Sequence, residues 1–212
     1  MKKNSTHFIR SHQYLEGFLI VKNTVMCVLM LSMSCTGEDS YPSNYPSAEE
    51  TKYVLPFPVG RKYTCSQSTG HTGSFKFAYD FQMAIGTVIT AARAGTVVYV
   101  VESWSDGYYD MNKTNLIVIQ HKDGEYSRYI HLTYNGALVQ VGQQVDVGDT
   151  VALSGNTGIS LEPHLHFDIT HSNLGPFDQT YQVTFANSIP QDGLLRPGVV
   201  YEAEAYDKTR FR

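Results

Sequence analysis

The chain has 212 residues, room for one domain and a leader, and it is 42% hydrophobic and 12% aromatic, with 15 Tyr, the make-up of a folded protein. Its formal net charge is -4. The first 34 residues hold Lys2, Lys3, Arg10 and Lys22 against Glu16, so the remainder carries 12 basic and 19 acidic residues, a charge of -7. That balance argues against nucleic-acid binding through an electrostatic footprint, and it leaves no basic patch for anionic lipid or teichoic acid.

The N-terminal run Val25-Met26-Cys27-Val28-Leu29-Met30-Leu31 follows Lys22 and ends in Ser32-Met33-Ser34-Cys35, which reads as an export leader over residues 1–35. It is shorter than the roughly 20 apolar residues a membrane-spanning helix needs. A Cys after small residues at the end of an apolar segment resembles a bacterial lipobox, which would lipidate Cys35. Plain secretion and an uncleaved anchor stay open. Three cysteines make no disulfide framework; Cys65 is expected to be a small, partly buried thiol, with a Cys35–Cys65 bridge as the alternative if Cys35 carries no lipid.

Residues 36–53 are rich in Ser, Pro, Tyr and acids and read as a flexible tether. The folded domain is expected over 54–206, starting at Val54-Leu55-Pro56-Phe57-Pro58, with a frayed tail at 207–212. Short β segments separated by Gly follow: Val88–Ala92, Gly95–Val101, Leu116–His121, Tyr126–Leu132, Gln144-Val145, Thr150–Leu153 and His164–Ile169. Asp123-Gly124 signals a hairpin. Edge strands are expected at Gln182–Phe185 and Val199–Tyr201. No window has a convincing amphipathic helix, so the fold class is all-β, an antiparallel, sandwich-like single domain. Asp106 to Lys113, with Trp104, Tyr108 and Tyr109, reads as an exposed aromatic loop, and Lys52 to Ser68 lies close enough before the site to cross it.

Pro163-His164-Leu165-His166-Phe167-Asp168-Ile169 carries the chemistry. On a strand, side chains alternate, so His164 and His166 share one face and Leu165 and Phe167 take the other. Two imidazoles held this way can ligate one metal together, or one can ligate while the other bonds what the metal activates. Asp80, between apolar neighbours in Phe77-Ala78-Tyr79-Asp80-Phe81, is expected to turn inward, and a buried carboxylate needs a partner or a metal. His71 lies in the Gly-rich Thr69–Gly73, and His131 ends a strand on which it is expected to share a face with Tyr129 and Ser127. His121 and His171 are expected to be solvated, Asp168 to be a surface acid facing away from both motif histidines, and Asn156 to support a tight turn.

Five blocks stand in order between about residues 70 and 169: His71 with Tyr79-Asp80-Phe81, Gly86–Val97, Tyr129-Ile130-His131-Leu132, Ser154-Gly155-Asn156-Thr157-Gly158, and Pro163-His164-Leu165-His166-Phe167. In these the chain resembles the lysostaphin-type, or LytM-type, zinc endopeptidases that cleave peptide bonds in peptidoglycan. The resemblance implies the duplicated-hybrid-motif β fold and one zinc ion held by His71, Asp80 and His166. It makes His131 and His164 the catalytic, non-ligand histidines, one helping to take the proton from water and the other stabilising developing charge. Eight residues separate His71 from Asp80, more than in many members of the family, and a loop of that length can still bring both to one metal.

The implied protein is a secreted or lipid-anchored endopeptidase of the cell envelope. It is expected to act as a monomer on peptidoglycan stems and cross-bridges, and to meet the membrane only through Cys35. Two alternatives stay open: a non-catalytic regulator of other wall hydrolases, as in relatives that have lost ligands, and a zinc peptidase acting on peptides outside the wall.

Overall fold

In the computed structural model the described residues are 45–68, 71–172, 179–191 and 193–212, so the expected leader, Cys35 and the first part of the tether lie outside them. Among the described residues no helix is long and apolar enough to cross a membrane.

The all-β, antiparallel reading holds. One sheet runs in the order β11 (Ser188–Ile189), β12 (Val199–Ala203), β1 (Lys62–Gln67), β2 (Tyr79–Gln82), β10 (His164–Thr170), β6 (Tyr126–Ile130), β5 (Leu116–Gln120), β4 (Gly95–Val101) and β8 (Gln144–Val145). A smaller sheet joins β3 (Val88–Thr90), β9 (Thr150–Ser154) and β7 (Leu132–Ala137). Each pairing is antiparallel. The Asp123-Gly124 hairpin forms between β5 and β6, with Gly124 at φ 84°, the left-handed conformation for which Gly has no steric penalty.

The core lies between the sheets. Tyr79 and Phe81 of β2, Leu165, Phe167 and Ile169 of β10, and Ile117 and Ile119 of β5 meet Ile89, Val151, Ala152 and Leu132 of the smaller sheet. Alternation then leaves Asp80, His164, His166 and Asp168 on the opposite face of β2 and β10. Cross-strand register brings them together, because His166 pairs with Asp80 on one side and with Ile130 on the other, and Asp168 pairs with Arg128.

Several expectations are corrected. Residues 208–211 form a 3₁₀ turn whose Phe211 is buried against Val54 and Val147, so the tail does not fray. Thr51 and Tyr53, within the stretch read as tether, are buried, and Arg210 donates to the carbonyls of Ala48, Glu49 and Thr51. Gln182–Phe185 is no strand. Its backbone is held by side chains instead, with Tyr79 Oη donating to Val183 O at 2.6 Å and Thr51 Oγ1 to Thr184 O at 2.5 Å. Residues 62–67 do not cross the site; they are β1, in register with β2 and β12, and only Ser66 and Gln67 reach the cavity wall. Cys65 is fully buried rather than partly so.

Candidate metal centre

Strand β2 presents Asp80, and β10 presents His164 and His166, into an open cavity of about 610 Å³ that His71 and His131 also line. His71 precedes the 3₁₀ turn Gly73–Phe75, which occupies part of the stretch before Asp80. The long separation therefore closes on one carboxylate: His71 Nε2 lies 3.1 Å from Asp80 Oδ2, and His166 Nδ1 lies 3.0 Å from Asp80 Oδ1. His164 Nε2 is 3.7 Å from the same Oδ1.

The His71 tautomer follows from its partner, since a carbonyl can only accept. His71 Nδ1–H donates to Ser68 O at 3.1 Å, which leaves Nε2 a bare lone pair. His166 has a carboxylate at each nitrogen, with Asp168 Oδ2 3.1 Å from Nε2 and Asp80 Oδ1 3.0 Å from Nδ1; in the neutral ring with hydrogen on Nε2, Nδ1 is bare. Both lone pairs therefore face carboxylate oxygens, and Asp80 Oδ1 is buried without a hydrogen-bond partner. Such a convergence is repulsive unless a cation or an extra proton sits within it. Tetrahedral zinc with Zn–N and Zn–O near 2.0–2.1 Å sets donor atoms roughly 3.3 Å apart, close to the separations seen. Two imidazoles and one carboxylate, with a position left open, suit a catalytic zinc, and His71, Asp80 and His166 form one of the two clusters able to hold a metal among the described residues; the other is His131, His164 and His166.

Electrostatics agree. Burial alone would raise the Asp80 pKa, but the neighbouring imidazoles, His166 first and then His71, outweigh it and hold its carboxyl far below the usual range. Burial would lower the His166 pKa, but Asp168 and Asp80 outweigh it and push it up to about 9. Without a cation, a proton takes its place.

His131 reaches the site differently from the expectation. Strict alternation after Tyr129 would send it into the core with Tyr129 and Ser127. It stands instead between β6 and β7 at φ 63°, a left-handed conformation uncommon outside Gly, and its ring turns to the histidine face, 4.6 Å from the His164 ring. Its Nδ1–H donates to Thr157 O at 2.6 Å. The Ser154–Gly158 turn that carries this carbonyl is seated closely, because a Cβ on Gly155 would lie 2.3 Å from Thr133 N. Burial first, then His164 and His166, push the His131 pKa down to about 3, so the ring is neutral. His164 Nδ1–H donates to Glu162 O at 2.8 Å.

Asp168 is a second correction. It is fully buried, and Arg128 holds it through Nε to Oδ1 at 2.6 Å and Nη2 to Oδ2 at 2.9 Å. Burial would raise its pKa, but His166 and Arg128 keep it below the usual carboxylate range. The signal was present in the sequence: on a strand, residue 168 belongs to the face of 164 and 166. His121 is not solvated either; it is 3% exposed, bonded to Ala94 O at 2.9 Å and Ser127 Oγ at 3.1 Å. His171 is exposed and stacks on Tyr181. Asn156 accepts from Ser160 Oγ at 2.7 Å within its turn. The aromatic loop is exposed as expected, with Tyr108 and Tyr109 open to solvent.

The profile described as Peptidase family M23 matches residues 74–179, with His71 three residues outside that match. An uncharacterized metalloprotease of Haemophilus influenzae is 33% identical over 127 residues, 59% of this chain and 24% of that protein. Peptidoglycan DD-endopeptidase ShyA of Vibrio cholerae is 34% identical over 112 residues, 53% of this chain and 24% of that protein. Lysostaphin of Staphylococcus staphylolyticus is 36% identical over 125 residues, 58% of this chain and 22% of that protein. The chain spans about a quarter of the length of each of these relatives. With the profile covering half of its residues, the chain belongs to Peptidase family M23.

Proposed function

We infer that this chain is a zinc metalloendopeptidase that hydrolyses peptide cross-links of bacterial peptidoglycan, working in the cell envelope after export, either secreted or anchored by lipid at Cys35. The observation that carries the reading is the convergence of bare donor atoms of His71, Asp80 and His166 beside two further imidazoles in an open cavity. Names borne by relatives that act on peptidoglycan support the substrate, and the apolar segment ending at Cys35 supports the anchor.

His71, Asp80 and His166 would hold the ion, and zinc bound there would supply a Lewis acid that lowers the pKa of water to about 7. His131 and His164 serve the proton. Each donates its Nδ1–H to a backbone carbonyl, so in the neutral ring Nε2 is the nitrogen left to accept a proton. As the water oxygen bonds to the substrate carbonyl carbon, one of these nitrogens takes its proton. The imidazolium then donates that proton to the amide nitrogen as the C–N bond breaks. Neither ring can donate to the carbonyl oxygen until it has gained that proton, so acceptance comes before charge stabilisation.

The test is zinc content and release of muropeptides from purified peptidoglycan by the full chain, beside His166→Ala. Near-stoichiometric zinc, release stopped by a chelator and restored by zinc, and loss of both in the variant are expected. Zinc without release overturns the substrate, and release indifferent to chelation overturns the metal. A Cys35→Ala chain that partitions into detergent like the wild type removes the anchor.

A further inference from the structure

Arg128 and Asp168 take no part in the chemistry above, yet they form a buried ion pair directly behind a proposed zinc ligand. Asp168 is fully buried and Arg128 is 2% exposed. A buried ion pair is weak support for stability, since its desolvation offsets most of its attraction. What this pair does hold is the His166 ring.

We propose that Asp168, clamped by Arg128, is a positioning residue for the metal: it keeps His166 in the tautomer with hydrogen on Nε2, so that Nδ1 stays a lone pair aimed beside Asp80. This rests on the zinc reading of the site. Asp168 Oδ2 accepts from both Arg128 Nη2, at 2.9 Å, and His166 Nε2, at 3.1 Å, while Oδ1 accepts from Arg128 Nε at 2.6 Å. The two-pronged contact fixes the carboxylate in its plane, as a fork-to-fork pair does. Phe75 packs against both partners, its ring 5.5 Å from the Arg128 guanidinium carbon and 5.4 Å from the His166 ring.

The opposite tautomer would put hydrogen on Nδ1, 3.0 Å from Asp80 Oδ1. That proton would satisfy the carboxylate and block the nitrogen from a metal. Asp168 disfavours it, because the carboxylate behind Nε2 can only accept, and a cation beside Asp80 removes the competing demand of that carboxylate for hydrogen on Nδ1. Carboxylates placed behind a ligating histidine also make it a better donor, and their removal commonly lowers metal affinity 10- to 100-fold.

Asp168→Asn is nearly isosteric and exposes the dependence. With one oxygen and one NH₂, the amide must either point its NH₂ at Arg128 Nε or turn it toward Nη2 and His166 Nε2. The first places donor against donor, and the second drives the His166 hydrogen to Nδ1. Arg128→Lys keeps the charge and loses the fork.

The experiment measures zinc affinity of the full chain by chelator competition for wild type, Asp168→Asn and Arg128→Lys, with thermal unfolding of the metal-free proteins as the check on folding. The imidazole ¹⁵N spectrum of zinc-loaded wild type is recorded alongside. Folded Asp168→Asn is expected to bind zinc about 10- to 100-fold more weakly, with a smaller loss in Arg128→Lys, and His166 is expected to carry hydrogen on Nε2. Wild-type affinity in folded Asp168→Asn overturns the inference, as does hydrogen on Nδ1. If Asp168→Asn does not fold, Arg128→Lys decides, since a folded variant that binds zinc as tightly as the wild type overturns the inference. A wild-type chain that binds no zinc overturns the metal reading itself, whereas zinc in the wild type beside an equal affinity in the variant overturns the positioning role alone.

Discussion

Asp80 and His166 are direct cross-strand partners on β2 and β10, with His166 Nδ1 3.0 Å from Asp80 Oδ1. Opposed residues in an antiparallel pair stand about 4.5–5.5 Å apart at Cβ, so the separation of the two donors is set by the sheet ladder rather than by flexible side chains. A register slip of one residue would bury His166 in the core and present Leu165 to the cavity. The flanking pairs Leu165–Phe81 and Phe167–Tyr79, all buried, oppose that slip.

Metal removal has a thermal signature. Zinc at 1,000 times its dissociation constant contributes about 4 kcal/mol to the folded state, which for a chain of this size is roughly 10 °C in Tm. The wild type is expected to show that rise in calorimetry. Asp80→Asn, which removes the carboxylate facing both imidazoles, is expected to show almost none and no hydrolysis. A variant with an undiminished zinc-dependent rise would displace Asp80 from the ligand set.

His131 acts on the proton and not on the metal in the proposed mechanism. His131→Ala is expected to lower kcat by about 10²- to 10⁴-fold while zinc content stays at the wild-type level. Loss of zinc in step with activity would place the ring among the ligands, as the second cluster with His164 and His166 permits.

Acid stability depends in part on His121. Burial first, with Arg93 nearby, lowers its pKa to about 4, against roughly 6.5 in the unfolded chain. The folded state therefore favours the neutral ring. Its contribution is present above pH 6.5 and is lost as pH falls from 6.5 toward 4, because the unfolded chain takes up the proton first. His121→Asn lacks that titration. Urea unfolding at pH 7.5 and 4.5 is expected to show wild type losing about 2 kcal/mol more than the variant across the interval; parallel losses would place the acid sensitivity elsewhere.

The C-terminal turn belongs to the fold. Phe211 is buried against Val54 and Val147, and Phe211→Ala is expected to destabilise the chain by about 3 kcal/mol, read from the urea midpoint. A change under about 0.5 kcal/mol, the usual range for exposed positions, would return these residues to the status of a tail.

Local rules made the all-β class, the Asp123-Gly124 hairpin, the exposed aromatic loop and the shared face of His164 and His166 legible, because strand alternation and turn chemistry act over two to four residues. The same alternation assigns Asp168 to the histidine face, so its expected outward turn failed on local geometry alone. Other features depended on contacts distant in the chain. Asp80 meets His166 only through pairing of β2 with β10, and His71 joins them by the path of the chain before β2. His131 leaves strand alternation because its backbone turns left-handed where Thr157 O takes its Nδ1–H. Burial of His121, and of Phe211 against the start of the domain, likewise follows from elements folding back on one another. The sequence by itself therefore determined which side chains share a face and which residue types are present for a metal. Tertiary structure decided which donor atoms meet, in which tautomer and behind which buried ion pair, since distances and burial between separate strands are set by register and packing rather than by local periodicity.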